Sequence, residues 1–261
     1  MPDKRVFLLR TLLAANFGCA SLTAPAAGLT VGVNVIAPPY VAGAKFRTSE
    51  SIETLLVKDL AAHRTVPLTT LRATPANRMQ LLASGKADVV LAVLADNDPL
   101  LRSAAVVPTG YAAAPLAIMR IDTDIKKPEQ LKGRTVCLSE NGAYVGTMAA
   151  RYGAIEKITR APADSLLALR SGACDAAVHD DTMLNALLKL PEWKKFSAGL
   201  TVGPRMTLVM IAAAGDAGTL AFLKKTAHAW LAKKYWTEIA HKWASDVAFE
   251  VYLDQNVPDC H

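Results

Sequence analysis

The sequence predicts an α/β protein made of two α/β lobes joined by a two-strand hinge. The main observation is a segment that occurs twice, at residues 75–90 and again at 162–177. Each copy has a proline near its start, a Ser-Gly pair near its end and an apolar run behind it. Proline suits the first turn of a helix and glycine the position just past its end, so each copy is a helix followed by a strand. One unit used twice indicates two lobes of similar build.

Other apolar runs supply the remaining elements in chain order. The pattern predicts strands at 29–35, 67–73, 114–121, 135–138 and 205–214, and helices at 51–62, 127–133, 148–152 and over most of the C-terminal part. The runs 114–121 and 205–214 bracket the second repeat. If both cross between lobes, the first lobe contains 29–115 and 205–261, and the second lobe contains 116–204.

The N-terminus is typical of a cleaved signal peptide at residues 1–26. Basic residues flank an apolar stretch from Val6 to Leu22, and Ala24-Pro25-Ala26 provides small residues for cleavage. A transmembrane anchor is the alternative, but Arg10 and Asn16 interrupt the run, which suits a removed segment better than a membrane span. The sequence therefore predicts a periplasmic protein.

Charge and composition restrict the class of partner. The formal net charge is +6 and 52% of the residues are hydrophobic, which favours packed cores over disorder. Removing residues 1–26 takes away three basic residues and one acidic residue, which leaves +4. So small and dispersed a charge does not indicate nucleic-acid binding. No Gly-rich phosphate loop or serine-nucleophile motif is present, and no cofactor is expected.

Three cysteines remain after cleavage: Cys137, Cys174 and Cys260. An exported chain can form disulfides, so one bridge and one odd thiol are expected. Cys137 and Cys174 both fall at predicted strands of the second lobe and are the expected pair. Free buried thiols are the alternative.

Several residues at predicted strand and helix ends are candidates for a ligand site. Tyr40 and Tyr111 are candidate pocket walls, with ordinary packing as the alternative. Ser139, Asn141 and Gly142 open a helix and offer groups for an anion. Asp175, His179, Asp180 and Asp181 are close in sequence, but strand alternation puts His179 and Asp180 on opposite faces, so no metal site is expected.

The order of segments resembles the extracellular solute-binding proteins of the polar amino-acid uptake family, which have the type II periplasmic-binding fold. The likeness covers roughly residues 29–245. It is carried by Leu29–Val33 with Pro38-Pro39-Tyr40, by Asn77-Arg78 through Ser84-Gly85 to Asp88, by Pro128 through Gly133 to Val136, and by Leu169 through Gly172 and Asp175 to Asp180-Asp181.

The resemblance implies roles for three further residues. Asp180 matches the aspartate that pairs with the ligand's α-amino group, and Arg102 is the candidate for the basic residue that holds the α-carboxylate. Arg78 matches an arginine of members resembling acidic-amino-acid binders. The strand order of the fold would also place the strand of Cys137 beside the one that Cys174 leads into, within reach of a disulfide.

The function implied is binding without catalysis. The protein would clamp a small polar, carboxylate-bearing solute and deliver it as a monomer to the membrane subunits of an ABC importer. One alternative is an enzyme on the same scaffold, a cyclohexadienyl dehydratase with Glu140 as the candidate general acid. The other is a secreted adaptor that docks a partner protein.

Overall fold

The computed structural model describes residues 28–36, 45–48, 51–64, 67–103, 105–232 and 234–255. The expected signal peptide and Tyr40 lie outside these residues. In the described part, no helix is both long enough and apolar enough to cross a bilayer.

The described residues form strands and helices in alternation over most of their length. The strands are β1 (Leu29–Val33), β2 (Leu68–Arg72), β3 (Val89–Ala95), β4 (Val106–Ala113), β5 (Pro115–Met119), β6 (Thr135–Ser139), β7 (Ile155–Thr159), β8 (Ala176–Asp180), β9 (Ala198–Thr201) and β10 (Met206–Ala212). The helices are α1 (Glu53–His63), α2 (Arg78–Ala83), α3 (Thr147–Tyr152), α4 (Pro162–Arg170), α5 (Asp181–Leu187), α6 (Ala217–Ala232) and α7 (Tyr235–Leu253). Short 3-10 helices cover Pro99–Arg102, Pro128–Leu131 and Pro191–Phe196.

The strands form two five-stranded sheets, one in each lobe. The first has the order β2-β1-β3-β10-β4 and the second the order β7-β6-β8-β5-β9. In each sheet the first two pairings in this order are parallel and the last two are antiparallel, so only β10 and β5 run against the other strands. The two-lobed α/β fold predicted from the sequence is therefore confirmed.

The chain passes from one sheet to the other at two places between strands. Ala114 separates β4 of the first sheet from β5 of the second, and residues 202–205 separate β9 from β10. Asp181 fastens the first crossing, because its N–H donates to the Ala114 carbonyl at 2.9 Å and its carboxylate accepts the Ala114 N–H at 3.1 Å. Arg205 joins the two crossings, since it pairs with Asp181 and donates to the Ala112 carbonyl.

The repeated unit forms as a short helix followed by a strand in both lobes. α2 precedes β3 and α4 precedes β8, and the glycines just past the helices, Gly85 and Gly172, have φ of 66° and 75°. The second helix begins at Pro162 as expected, but Pro75 lies outside α2. There the Asn77 side chain accepts the Thr74 N–H at 2.7 Å, which closes a turn before the helix begins.

Helix α7 contacts both lobes, because Trp236 near its start donates to the Thr109 carbonyl of β4. α6 packs on β4 and β10 of the first sheet, whereas α7 packs mainly on α5 and α4 of the second lobe. The buried Trp230 of α6 and Trp243 of α7 belong to one apolar cluster that continues into both lobes. An ion pair also joins the segment before α1 to the second lobe, because Arg47 lies 2.9 Å from Asp164 of α4. The C-terminal helix therefore connects the two lobes, with most of its contacts on the second.

Cys137 and Cys174 form a disulfide in the second lobe, as the sequence predicted. Their Cα atoms are 5.9 Å apart, and both side chains are buried. Cys137 lies on β6, and Cys174 lies between α4 and β8. β6 and β8 are hydrogen-bonded neighbours, so the bridge joins the middle of β6 to the residues just before β8.

Candidate functional site

A cavity of about 240 Å³ lies between the lobes. The first lobe contributes the end of β1, the start of α1, the turn before α2 and the middle of β3. The second lobe contributes residues 141–143, and Met206 adds a wall from the strand that follows the second crossing. Because residues of both lobes line it, any change in the angle between the lobes changes the shape of this cavity.

Three of the residues predicted from the sequence line this cavity: Arg78, Asn141 and Gly142. Arg78 is the first residue of α2 and is half-buried. It forms no ion pair within the part of the chain that the structure describes. Asn141 faces Arg78 from the other lobe and has φ of 62°, a left-handed backbone that asparagine tolerates better than most residues. These residues offer a cation and amide groups to a polar ligand.

The other predicted residues lie elsewhere. Arg102 is exposed on the 3-10 helix Pro99–Arg102 and does not line the cavity. Ser139 is buried at the end of β6, and its hydroxyl has no hydrogen-bond partner among the described residues. Asp180 and Tyr111 meet each other beside the first crossing, outside the lining of the cavity.

Asp180 accepts hydrogen bonds from two tyrosines, one on each lobe. Tyr111 at the end of β4 donates to one carboxylate oxygen at 2.6 Å, and Tyr144 donates to the other at 2.5 Å. Tyr111 is buried, and its hydroxyl also lies 2.6 Å from that of Thr182. Burial, followed by the nearby negative charge of Asp180, raises the pKa of Tyr111 well above its usual value. The phenol therefore stays protonated and remains a donor.

Glu53 is a cavity residue that the sequence did not reveal. Its side chain is only 4% exposed at the first turn of α1, and it accepts the Asn34 N–H at 2.8 Å. Burial raises the pKa of Glu53 to about 7, although hydrogen bonds from the N–H groups of Asn34 and Val35 act in the opposite direction. An acid in the first turn of a helix is ordinary in a sequence, so only the fold shows that this one faces a cavity.

Removal of the Tyr111 hydroxyl should show how firmly Asp180 is held. Tyr111→Phe leaves a partly buried carboxylate oxygen without its phenol donor, so we expect the free energy of unfolding to fall by about 2 kcal/mol. Tyr152→Phe is the matched control, because its hydroxyl donates only to the neutral Val202 carbonyl, and about 1 kcal/mol is expected there. Urea denaturation measures both losses. Equal, small losses would show that the Asp180 contact adds nothing.

The fold has two α/β lobes joined by crossing segments with a cavity between them, an architecture that can close on a ligand by a hinge motion. Comparison with solved structures identifies the particular version of this architecture. The chain has the fold of the substrate-binding proteins of amino-acid ABC transporters.

Three solved structures illustrate the likeness. An ancestral cationic amino acid solute-binding protein matches with a TM-score of 0.55 at 20% identity, over 83% of this chain and 95% of its own. The substrate-binding protein of an amino acid ABC transporter gives 0.50 at 19% identity, over 84% and 100%. A mutant of the T. maritima protein ArgBP gives 0.50 at 18%, over 84% and 95%. No protein-family model matches the chain. No curated protein matches it either.

Proposed function

We propose that this protein is a periplasmic substrate-binding protein without catalytic activity. It clamps a small polar solute that carries a carboxylate, an amino acid or a related acid, and delivers it as a monomer to the membrane subunits of an ABC importer. The observation that supports this most directly is the cavity between the lobes, with Arg78 as the one basic residue among its described lining residues. The fold shared with substrate-binding proteins supports the same function.

Arg78 is the proposed partner of the solute carboxylate. A guanidinium group can bind a carboxylate through two parallel hydrogen bonds, and burial in a cleft strengthens that contact. Arg78 extends from the first lobe, while Asn141 and Gly142 approach from the second lobe. A carboxylate bound by all three would hold the lobes together, and closure of this kind requires a ligand that binds the closed form better than the open form.

The experiment compares Arg78→Gln with Arg102→Gln. Calorimetry with succinate, aspartate, glutarate and glutamate as probes should show binding of at least one of them to the wild type. Arg78→Gln should weaken that binding by about 30-fold or more, because removal of the charged partner of a desolvated carboxylate costs about 2 kcal/mol or more. Arg102→Gln is the matched control and should leave the affinity unchanged, since Arg102 is exposed and outside the cavity lining.

Two results would contradict the proposal. If none of the four acids binds, or if the two arginine variants lose affinity equally, the cavity is not a carboxylate site. Turnover of prephenate or arogenate would instead favour the dehydratase alternative. The general acid proposed for that alternative, Glu140, is exposed and outside the described lining of the cavity.

A further inference from the structure

The carboxylates near the cleft already have partners of their own. Asp180 accepts the Tyr111 hydroxyl with one oxygen and the Tyr144 hydroxyl with the other. Both tyrosines are buried, at 5% and 7% exposure, so neither hydroxyl has ready access to water. Asp180 therefore acts as an internal acceptor that links β4 of the first lobe to β8 of the second.

Asp180 lies outside the described lining of the cavity, and the hydroxyl groups of Tyr111 and Tyr144 occupy one position on each of its oxygens. Tyr111 cannot move aside easily, because its ring packs against Trp236 with centroids 5.2 Å apart and its hydroxyl also contacts that of Thr182. A buried hydroxyl left without its acceptor costs about 1–3 kcal/mol. An ammonium group that took the place of either phenol would therefore gain one hydrogen bond to Asp180 and lose another.

Glu53 is the only acid among the described residues that line the cavity. Its carboxyl group already accepts the N–H groups of Asn34 and Val35, and it is almost fully buried. With a pKa of about 7, it carries only a partial negative charge at neutral pH. Glu53 thus joins α1 to the end of β1, and its carboxyl group is poorly suited to bind a cation.

The remaining walls of the cavity suit an uncharged molecular surface. Leu91, Ala92 and Val93 of β3 line one side, and Met206 of β10 adds to them. Against these apolar groups, Arg78 is the one full charge that the described lining presents at neutral pH. Positive charge and apolar surface together favour an anion with an otherwise uncharged body.

We infer that the solute is an organic acid that has no ammonium group, with its carboxylate on Arg78 and its uncharged part against β3 and Met206. This inference rests on the proposed function and narrows its substrate class. An amino acid would bring a desolvated ammonium group into a cleft whose two nearby carboxylates are already hydrogen-bonded, and an unpaired buried charge is costly.

The test uses pairs of acids that differ only in the amino group. Calorimetry should compare succinate with aspartate, glutarate with glutamate, and propionate with alanine, on the wild-type protein at constant pH and salt. We expect the member without nitrogen to bind at least ten-fold more tightly in every pair that binds. Asp180→Asn should retain that preference, because the side chain is outside the lining of the cavity.

Tighter binding of the amino acid in any pair would overturn the inference. Asp180→Asn and Glu53→Gln would then show which carboxylate receives the ammonium group, since the responsible variant should lose at least ten-fold in affinity for the amino acid alone. In that case the proposed function would stand, provided that Arg78→Gln still weakens binding by about 30-fold or more. If none of the acids binds, the proposed function itself fails, and the inference fails with it.

Discussion

Opening the Cys137–Cys174 bridge is expected to lower the free energy of unfolding by about 4 kcal/mol. The bridge joins residues 37 positions apart, and a cross-link over a loop of that length removes entropy from the unfolded chain by about this amount. Alanine is the suitable replacement, because both positions are buried and a serine hydroxyl would add an unpaired polar group.

A thermal or urea unfolding series measures this loss. Cys137→Ala, Cys174→Ala and the double variant should unfold at nearly the same denaturant concentration, since each breaks the same bond and the losses do not add. Reduction of the wild type with a thiol should reproduce much of the effect. Reduced and oxidised wild-type proteins that unfold together would show that the bridge contributes no stability.

Replacing Glu53 by glutamine is expected to make the protein's stability less dependent on pH. The pKa of Glu53 is about 7 in the folded protein and 4.5 in its ordinary state. Because the folded state holds the proton more tightly, the wild type loses stability as the pH rises from about 4.5 to about 7. Above pH 7 the loss is complete and amounts to about 3 kcal/mol.

The measurement is the difference in unfolding free energy between Glu53→Gln and the wild type. Between pH 4 and pH 8 this difference should shift by about 3 kcal/mol in favour of the variant, whatever its value at pH 4. Glu129→Gln is the matched control for the loss of one exposed carboxyl group. A difference for Glu53→Gln that stays constant across this range would mean that burial does not perturb the Glu53 carboxyl.

The fold was largely predictable because its sheets are built from apolar runs with clear boundaries. Three strands were not predicted from the sequence: β4, β7 and β9. For β4 and β7 the physical reason is clear. β4 contains Pro108, which argues against a strand, but β4 lies at the edge of its sheet, where proline is tolerated. β7 is also an edge strand, with Ile155 and Ile158 exposed, so no buried face marks it.

The candidate site was less predictable because side-chain contacts decide it. Asn141 could be proposed because it follows a strand and precedes a helix, and Arg78 because it matches an arginine in the family that the sequence resembles. The hydrogen bonds that Tyr144 donates to Asp180 and that the Asn34 N–H donates to Glu53 join residues 36 and 19 positions apart. No local pattern marks such pairs, so neither the partners of Asp180 nor the burial of Glu53 could be deduced from the sequence.

Helix α7 adds a connection that a two-strand hinge does not have. The chain leaves the first sheet at Ala114, returns at 202–205, and after α6 turns at Lys234 to lie on the helices of the second lobe. Rotation of one lobe against the other must therefore be accommodated at both crossings, and it must also disturb the contacts of α7, because Trp236 donates to the Thr109 carbonyl of β4 while the helix packs on α5 and α4. The C-terminal helix is thus a third connection between the lobes, and it restricts how far the angle between them can change.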